Sequence, residues 1–112
     1  MVMDQQLQTA FDTAADRAAD FLKALANPWR LRILCTLSEG PMAVGALAAR
    51  IGAREALVSQ HLMRLRAEGL VRTERFGQSV HYSLASRLTE QVIAALYEAY
   101  CGPDAPAERR GP

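Results

Sequence analysis

Several features that mark secreted or membrane proteins are scarce in this sequence. No apolar run approaches the ~18 residues of a membrane span, and residues 1–6 lack the basic and apolar regions of a signal peptide. Only two cysteines, Cys35 and Cys101, occur among 112 residues. These absences predict a soluble cytoplasmic chain without membrane contact, in which both cysteines are thiols at rest rather than a structural disulfide.

The patterns that carry enzyme or metal chemistry are missing as well. The sequence contains no Gly-rich phosphate loop, no paired acid/base residues and no nucleophile elbow. A tetrahedral zinc site needs three or four N, S or O ligands, and the only histidines are His61 and His81. We therefore expect no enzyme activity, no cofactor and no metal site.

Charge is present, but it is unevenly distributed. The net charge is only +1, yet the two signs are separated along the chain. Residues 1–20 are acidic, with four aspartates and one arginine. Residues 50–81 are basic, with six arginines and three glutamates, and they also contain both histidines. A phosphate-binding surface needs a local positive potential, not a basic total. The length is that of one domain. We place it at residues 1–103, followed by a polar, disordered tail at 104–112.

Apolar residues at steps of three and four predict a first helix over about 4–25. Asn27 suits the N-cap and Pro28 the first position of a second helix, which ends before Gly40. Two short helices over about 44–51 and 54–68 flank Gly52, and a last helix spans about 87–101. Two short helices joined by a tight glycine-containing turn are the helix-turn-helix pattern.

A β-hairpin is expected directly after the second helix of that pair. Its strands would span 70–75 and 80–84, with Val80, Tyr82 and Leu84 facing inward and His81 and Ser83 facing outward. A hairpin in this position is a wing. The predicted fold is therefore mainly α with one β-hairpin, a winged helix-turn-helix in the order α-α-α-α-β-β-α.

The exposed face of the second short helix carries hydrogen-bonding and basic side chains. Gln60 lies at its centre and can pair bidentately with adenine, and basic groups beside it can meet phosphates or guanine. His61 lies at the flank of the buried face, where it packs or caps a phosphate. The ordinary alternative is a solvated helix face. The candidate DNA-binding residues, with those of the wing, are Ser59, Gln60, His61, Arg64, Arg72, Arg75 and Gln78.

Two segments resemble one known family. The motifs FLKALANP at 21–28 and RLRIL at 30–34, and VSQHL at 58–62 and LRAEGLV at 65–71, resemble the arsenic-repressor (ArsR) family of bacterial sensors over roughly residues 20–100. The resemblance implies a homodimer built by the first and last helices, and a repressor that leaves its double-stranded DNA operator when a ligand binds. The candidate dimer-interface residues are Leu7, Phe11, Ala14, Ala18, Leu88, Val92, Ala95 and Ala99.

The two cysteines suggest what this repressor senses. Residues 42–47 contain no cysteine and the last helix no histidine, unlike the family's metal-sensing branches. Cys35 in the second helix and Cys101 at the end of the last resemble the sulfide-responsive and biofilm-associated branch, which implies reactive sulfur species as the inducer. We expect Arg32 to lower the pKa of Cys35, which would make Cys35 the first nucleophile.

Other readings of the same residues remain open. Cys35 can be a buried structural cysteine and Cys101 an incidental surface thiol. The pair can also serve as a general thiol-oxidation switch, or as a two-thiolate site for a soft metal or As(III). Finally, a winged helix can act as an interaction module that does not read DNA.

Overall fold

Side-chain caps set where three of the helices begin. The computed structural model describes residues 4–103. Asp4 accepts a hydrogen bond from the N–H of Leu7 at 2.8 Å, so it caps the first helix instead of opening it. Asn27 caps the second helix as predicted, with Pro28 at the first position, and Ser86 caps the last.

The elements follow the predicted order with one addition. They are α1 (Gln5–Leu25), α2 (Pro28–Leu37), β1 (Met42–Ala43), α3 (Val44–Ile51), α4 (Glu55–Ala67), β2 (Val71–Phe76), β3 (Ser79–Leu84) and α5 (Arg87–Cys101). The winged helix-turn-helix fold is confirmed. The short strand β1 was not predicted, and the expected tail at 104–112 lies outside the described residues.

The helix-turn-helix is formed by α3 and α4. The turn between them is three residues long, 52–54, and Gly52 has a φ of 74°, a conformation that L-residues with a side chain adopt only at a cost. The core fills the space behind both helices. Ile33 and Leu34 of α2, Leu47 of α3, and Leu62 and Leu65 of α4 are all fully buried.

The wing is the antiparallel hairpin of β2 and β3, with β1 on the other side of β3. Pairing runs to the end of both strands, so only Gly77 and Gln78 lie in the turn, and Gly77 has a φ of 64°. A positive φ at the first central residue alone is the pattern of a type II′ turn. The two residues of β1 tie the base of the wing to the body of the domain.

The predicted alternation of inward and outward residues along β3 was wrong at two positions. Val80 is 39% exposed although it was expected inside, and Ser83 is 8% exposed although it was expected outside. The reason is the position of the hairpin. Its base is covered on both faces, so Ser83 and Leu84 are both buried, whereas its tip extends past the core.

No helix within residues 4–103 is long and apolar enough to cross a membrane.

Candidate DNA-binding surface and cysteine pair

Helix α4 turns a polar face outward opposite its buried side. Val58, Leu62 and Leu65 are buried against the core. Gln60 and Arg64, four residues apart, are exposed on one face of the helix, and Ser59 is half-buried at its edge. This arrangement would present an amide and a guanidinium to the edges of bases in a major groove.

Met63 belongs to this exposed face, as its position opposite Val58, Leu62 and Leu65 predicts. Its side chain is 71% exposed, which is unusual for a large apolar residue on a helix whose other side forms the core.

His61 is half-buried between α4 and the start of α2. Burial lowers its pKa, and the nearby positive charge of Arg30 lowers it further. The imidazole is therefore neutral at pH 7, in agreement with a packing role. Within residues 4–103 no group of three or more His, Cys, Asp or Glu side chains is arranged to hold a metal ion.

Arg30 is a residue of this surface that sequence reasoning missed. Its Nε donates to the carbonyl oxygen of Ala24 at 2.6 Å, and its terminal nitrogen donates to that of Lys23 at 3.2 Å. These bonds satisfy carbonyls at the end of α1 and hold the guanidinium in place. Burial and the adjacent charge of Arg64 lower the pKa of Arg30. Arg30 and Arg64 thus place two positive charges beside the neutral His61 on this surface.

The wing does not bring all its candidate residues together. Cross-strand partners share a face of the hairpin, and Arg75 pairs with Val80 while Arg72 pairs with Ser83 on the opposite face. Arg75 and Gln78 are exposed near the tip. Arg72 instead points toward α5, where it lines a cavity beside Cys35. We therefore leave Arg72 out of the proposed DNA surface.

Both cysteines are free thiols on neighbouring elements. Cys35 is half-buried in α2, Cys101 is the exposed last residue of α5, and α2 packs against α5. Burial raises the pKa of the Cys35 thiol, and the negative charges of Cys101 and Glu39 raise it further. The two sulfurs are therefore within electrostatic range of each other, although they are far apart in sequence.

The expected effect of Arg32 on Cys35 was wrong. The guanidinium of Arg32 lies over the ring of Trp29, 4.8 Å from its centroid. Trp29 lies three residues before Arg32 and Cys35 three residues after it, so they are neighbours of Arg32 in opposite directions along the helix. The cation–π contact holds the charge away from the thiol, so the thiol is the resting form of Cys35.

The predicted interface residues form an exposed apolar seam. Every residue of 4–20 is exposed in the single chain, and Leu7 and Phe11 are each 58% exposed. Ala14, Ala18, Leu88 and Val92 line one groove of about 640 Å³ between α1 and α5. Ala95 and Ala99 continue the exposed side of α5. Most of the stability of a protein helix comes from packing of its apolar face, so this exposed seam is a candidate for burial against a second surface.

Comparison with known proteins places these features in a family. The profile of the bacterial regulatory proteins of the arsR family matches residues 27–73. A biofilm growth-associated repressor of Agrobacterium fabrum is 39% identical over 95 residues, which cover 85% of this chain and 81% of that protein.

Solved structures agree with that comparison. Reduced HlyU of Vibrio cholerae superposes with a TM-score of 0.77 at 38% identity, covering 82% of this chain and 97% of that one. A possible ArsR-family transcriptional regulator of Mycobacterium bovis, described as a homodimeric winged helix-turn-helix DNA-binding domain, superposes with a TM-score of 0.70 at 32% identity. It covers 86% of both chains.

Proposed function

The chain belongs to the arsR family of bacterial regulatory proteins, and from this membership we propose that it is a dimeric, DNA-binding repressor that senses reactive sulfur species through Cys35 and Cys101. Its relatives are transcription regulators and not enzymes. The observation that carries the sensing proposal is the packing of α2 against α5, which brings the two thiols within electrostatic range.

DNA binding is supported by the outward face of α4. Gln60 reads base edges from the major groove, and Ser59 and Arg64 flank it. Arg30, packed beside the neutral His61, supports the phosphate side. Arg75 and Gln78 at the tip of the wing contact the backbone or the minor groove. Most of the affinity comes from the arginines, because neutralising phosphates releases counterions from the duplex.

Dimerisation is supported by the exposed seam of α1 and α5. A second copy related by a two-fold axis covers the same residues on both chains. The dimer then presents two α4 helices to two half-sites, which lie one helical turn, ~34–36 Å, apart. The distance between the two helices therefore decides how well the operator fits.

The sulfur chemistry follows from two thiols at one helix contact. A thiolate attacks the outer sulfur of a persulfide, R–S–SH, and becomes Cys–S–SH as R–SH leaves. The second cysteine then attacks the inner sulfur, forms a disulfide and releases hydrogen sulfide. If both cysteines have first become persulfides, one attacks the other in the same way, and a trisulfide forms with release of hydrogen sulfide.

The bridge couples sensing to DNA binding. It ties α5, which belongs to the dimer interface, to α2, which packs on α3 and α4. This restraint changes the spacing of the two α4 helices. A coupling free energy of about 1–3 kcal/mol lowers operator affinity by about 5–150-fold.

Mass spectrometry of the reduced protein after treatment with a polysulfide donor tests the sensing proposal. We expect an internal Cys35–Cys101 cross-link, with one or more added sulfur atoms if the thiols lie too far apart for direct closure. Arsenite and peroxide serve as comparison reagents. A protein that cross-links equally with peroxide is a general thiol-oxidation switch, and one that binds arsenite without cross-linking is a soft-metal sensor.

A further inference from the structure

A cavity of about 870 Å³ lies between α2, α5 and the base of the wing. Its volume is in the range of small-molecule sites. Cys35 and Ser83 both line it, and Leu84, Ile93 and Tyr97 supply apolar wall. The sulfur of Cys35, one of the two proposed sensing thiols, therefore lies beside a site large enough for an organic molecule.

Ser83 has a hydroxyl with no partner. Its side chain is 8% exposed, and its Oγ makes no hydrogen bond to any residue that the structure describes. Buried polar atoms are nearly always paired, because leaving one unpaired has a cost in free energy. A hydroxyl can donate and accept, so Ser83 is an unpaired polar group in the wall of this cavity.

The charges around the cavity are mainly negative. Glu74, Glu90 and Glu98 line it, and none of them is in an ion pair within residues 4–103. A fourth lining carboxylate, Glu39, is bridged to Arg50 at 2.6 Å. Arg72 is the one basic residue among those that line it. A partly enclosed site lined mainly by negative charges raises the local concentration of cations.

We propose that this cavity binds the organic part of the sulfur donor, and that its carboxylates select a persulfide bearing an ammonium group over one bearing a carboxylate. The inference rests on the proposed function, since it concerns the donor to Cys35. The combined charge of Glu74, Glu90 and Glu98 draws the ammonium into the cavity.

The transfer itself is balanced. The Cys35 thiol loses its proton, its sulfur attacks the outer sulfur of R–S–SH, and the S–S bond of the donor breaks. R–S⁻ leaves and takes up a proton, so Cys35–SH and R–S–SH become Cys35–S–SH and R–SH.

A cationic donor also makes Cys35 more reactive. The charge of Glu39 helps to raise the pKa of this thiol, and a bound ammonium opposes that effect. Cys101 is exposed at the end of α5 and is not among the residues that line the cavity. Selection by charge should therefore be strong at Cys35 and weak at Cys101.

The rate of sulfur transfer to each cysteine tests this proposal. The donors are the persulfides of cysteamine and of 3-mercaptopropionate, whose tails differ in charge from +1 to −1. Transfer to Cys35 is measured in Cys101→Ser, and transfer to Cys101 in Cys35→Ser, by alkylation and mass spectrometry. At low ionic strength we expect Cys35 to prefer the cationic donor about tenfold, and Cys101 to prefer it less than about twofold.

A substitution that neutralises one carboxylate of the cavity tests whether the cavity causes the preference for the cationic donor. Glu90→Gln should lower the preference of Cys35 about two- to fourfold, because one carboxylate is neutralised. Asp16→Asn, with the same change of charge on the exposed part of α1, should leave it unchanged.

Three results would overturn the proposal. Equal rates for both donors at Cys35 would show that the cavity does not select by charge, and would leave operator release by polysulfide as a separate question. A preference at Cys101 as large as that at Cys35 would place the selection outside the cavity. If neither donor transfers sulfur to Cys35, the proposed function fails together with this inference.

Discussion

Removing each of two buried hydroxyls in this domain should change the free energy of unfolding in opposite directions. Ser83 is 8% exposed and its Oγ has no partner within residues 4–103, whereas Thr89 is 1% exposed and its Oγ1 lies 3.0 Å from the Oγ of Ser86. An unpaired buried polar group costs about 1–3 kcal/mol. Ser83→Ala removes that cost and loses little packing, so we expect the free energy of unfolding to rise by about 1 kcal/mol.

Thr89→Val is the matched variant. It keeps the shape of the side chain but removes one partner of an existing hydrogen bond, which should lower the free energy of unfolding by about 1 kcal/mol. In a domain of this size, 1 kcal/mol corresponds to about 4–8 °C in Tm. The two variants should therefore move Tm in opposite directions.

Thermal unfolding by circular dichroism measures both effects. The protein concentration is kept fixed, because dimerisation makes Tm depend on it. If Ser83→Ala lowers Tm as much as Thr89→Val does, the Ser83 hydroxyl has a partner, and the argument for a vacant hydrogen-bonding group in the cavity is wrong.

Four further substitutions or titrations test the other parts of the account. Gln60→Ala should weaken specific binding by about 1–3 kcal/mol and relax base preference, which a gel shift with normal affinity would contradict. Arg75→Ala should weaken binding to all duplexes alike and flatten the salt dependence by about one unit. Ala95→Asp buries an unpaired charge at the dimer seam, so light scattering should show a shift toward monomer. The raised pKa of Cys35 predicts that the midpoint of its alkylation rate against pH lies above that of an ordinary thiol. Cys101→Ser should move this midpoint to lower pH because one negative charge is lost.

The helices and the wing could be predicted because their signals are local. The adjacent residues Asn27 and Pro28 define the start of α2. Gly52, with its positive φ, ends α3. The exposed polar face of α4 follows from the spacing of its buried residues alone. In each case the physical cause lies within one or two turns of the chain.

What escaped prediction depends on distant contacts. The two residues of β1 are too short to show alternation, and only their pairing with Tyr82 and His81 makes them a strand. The burial of Ser83 depends on elements that cover the base of the wing from both sides. The cavity beside Cys35 has the same origin, since α2, α5 and two strands contribute to it.

The pKa of Cys35 shows how a local argument fails. Arg32 lies one turn from the thiol in sequence, but Trp29 lies one turn away on the other side and holds the guanidinium. The thiol then responds to burial, to Cys101 and to Glu39, and neither its burial nor the approach of Cys101 can be read from the helix pattern.

Release of operator DNA by polysulfide tests the central claim most directly. The measurement is fluorescence anisotropy of labelled operator with the reduced protein, before and after a polysulfide donor is added. The account predicts release by the protein with both cysteines, and normal binding without release by Cys35→Ser and by Cys101→Ser. A Cys101→Ser protein that still releases the operator on polysulfide treatment would contradict the two-cysteine switch.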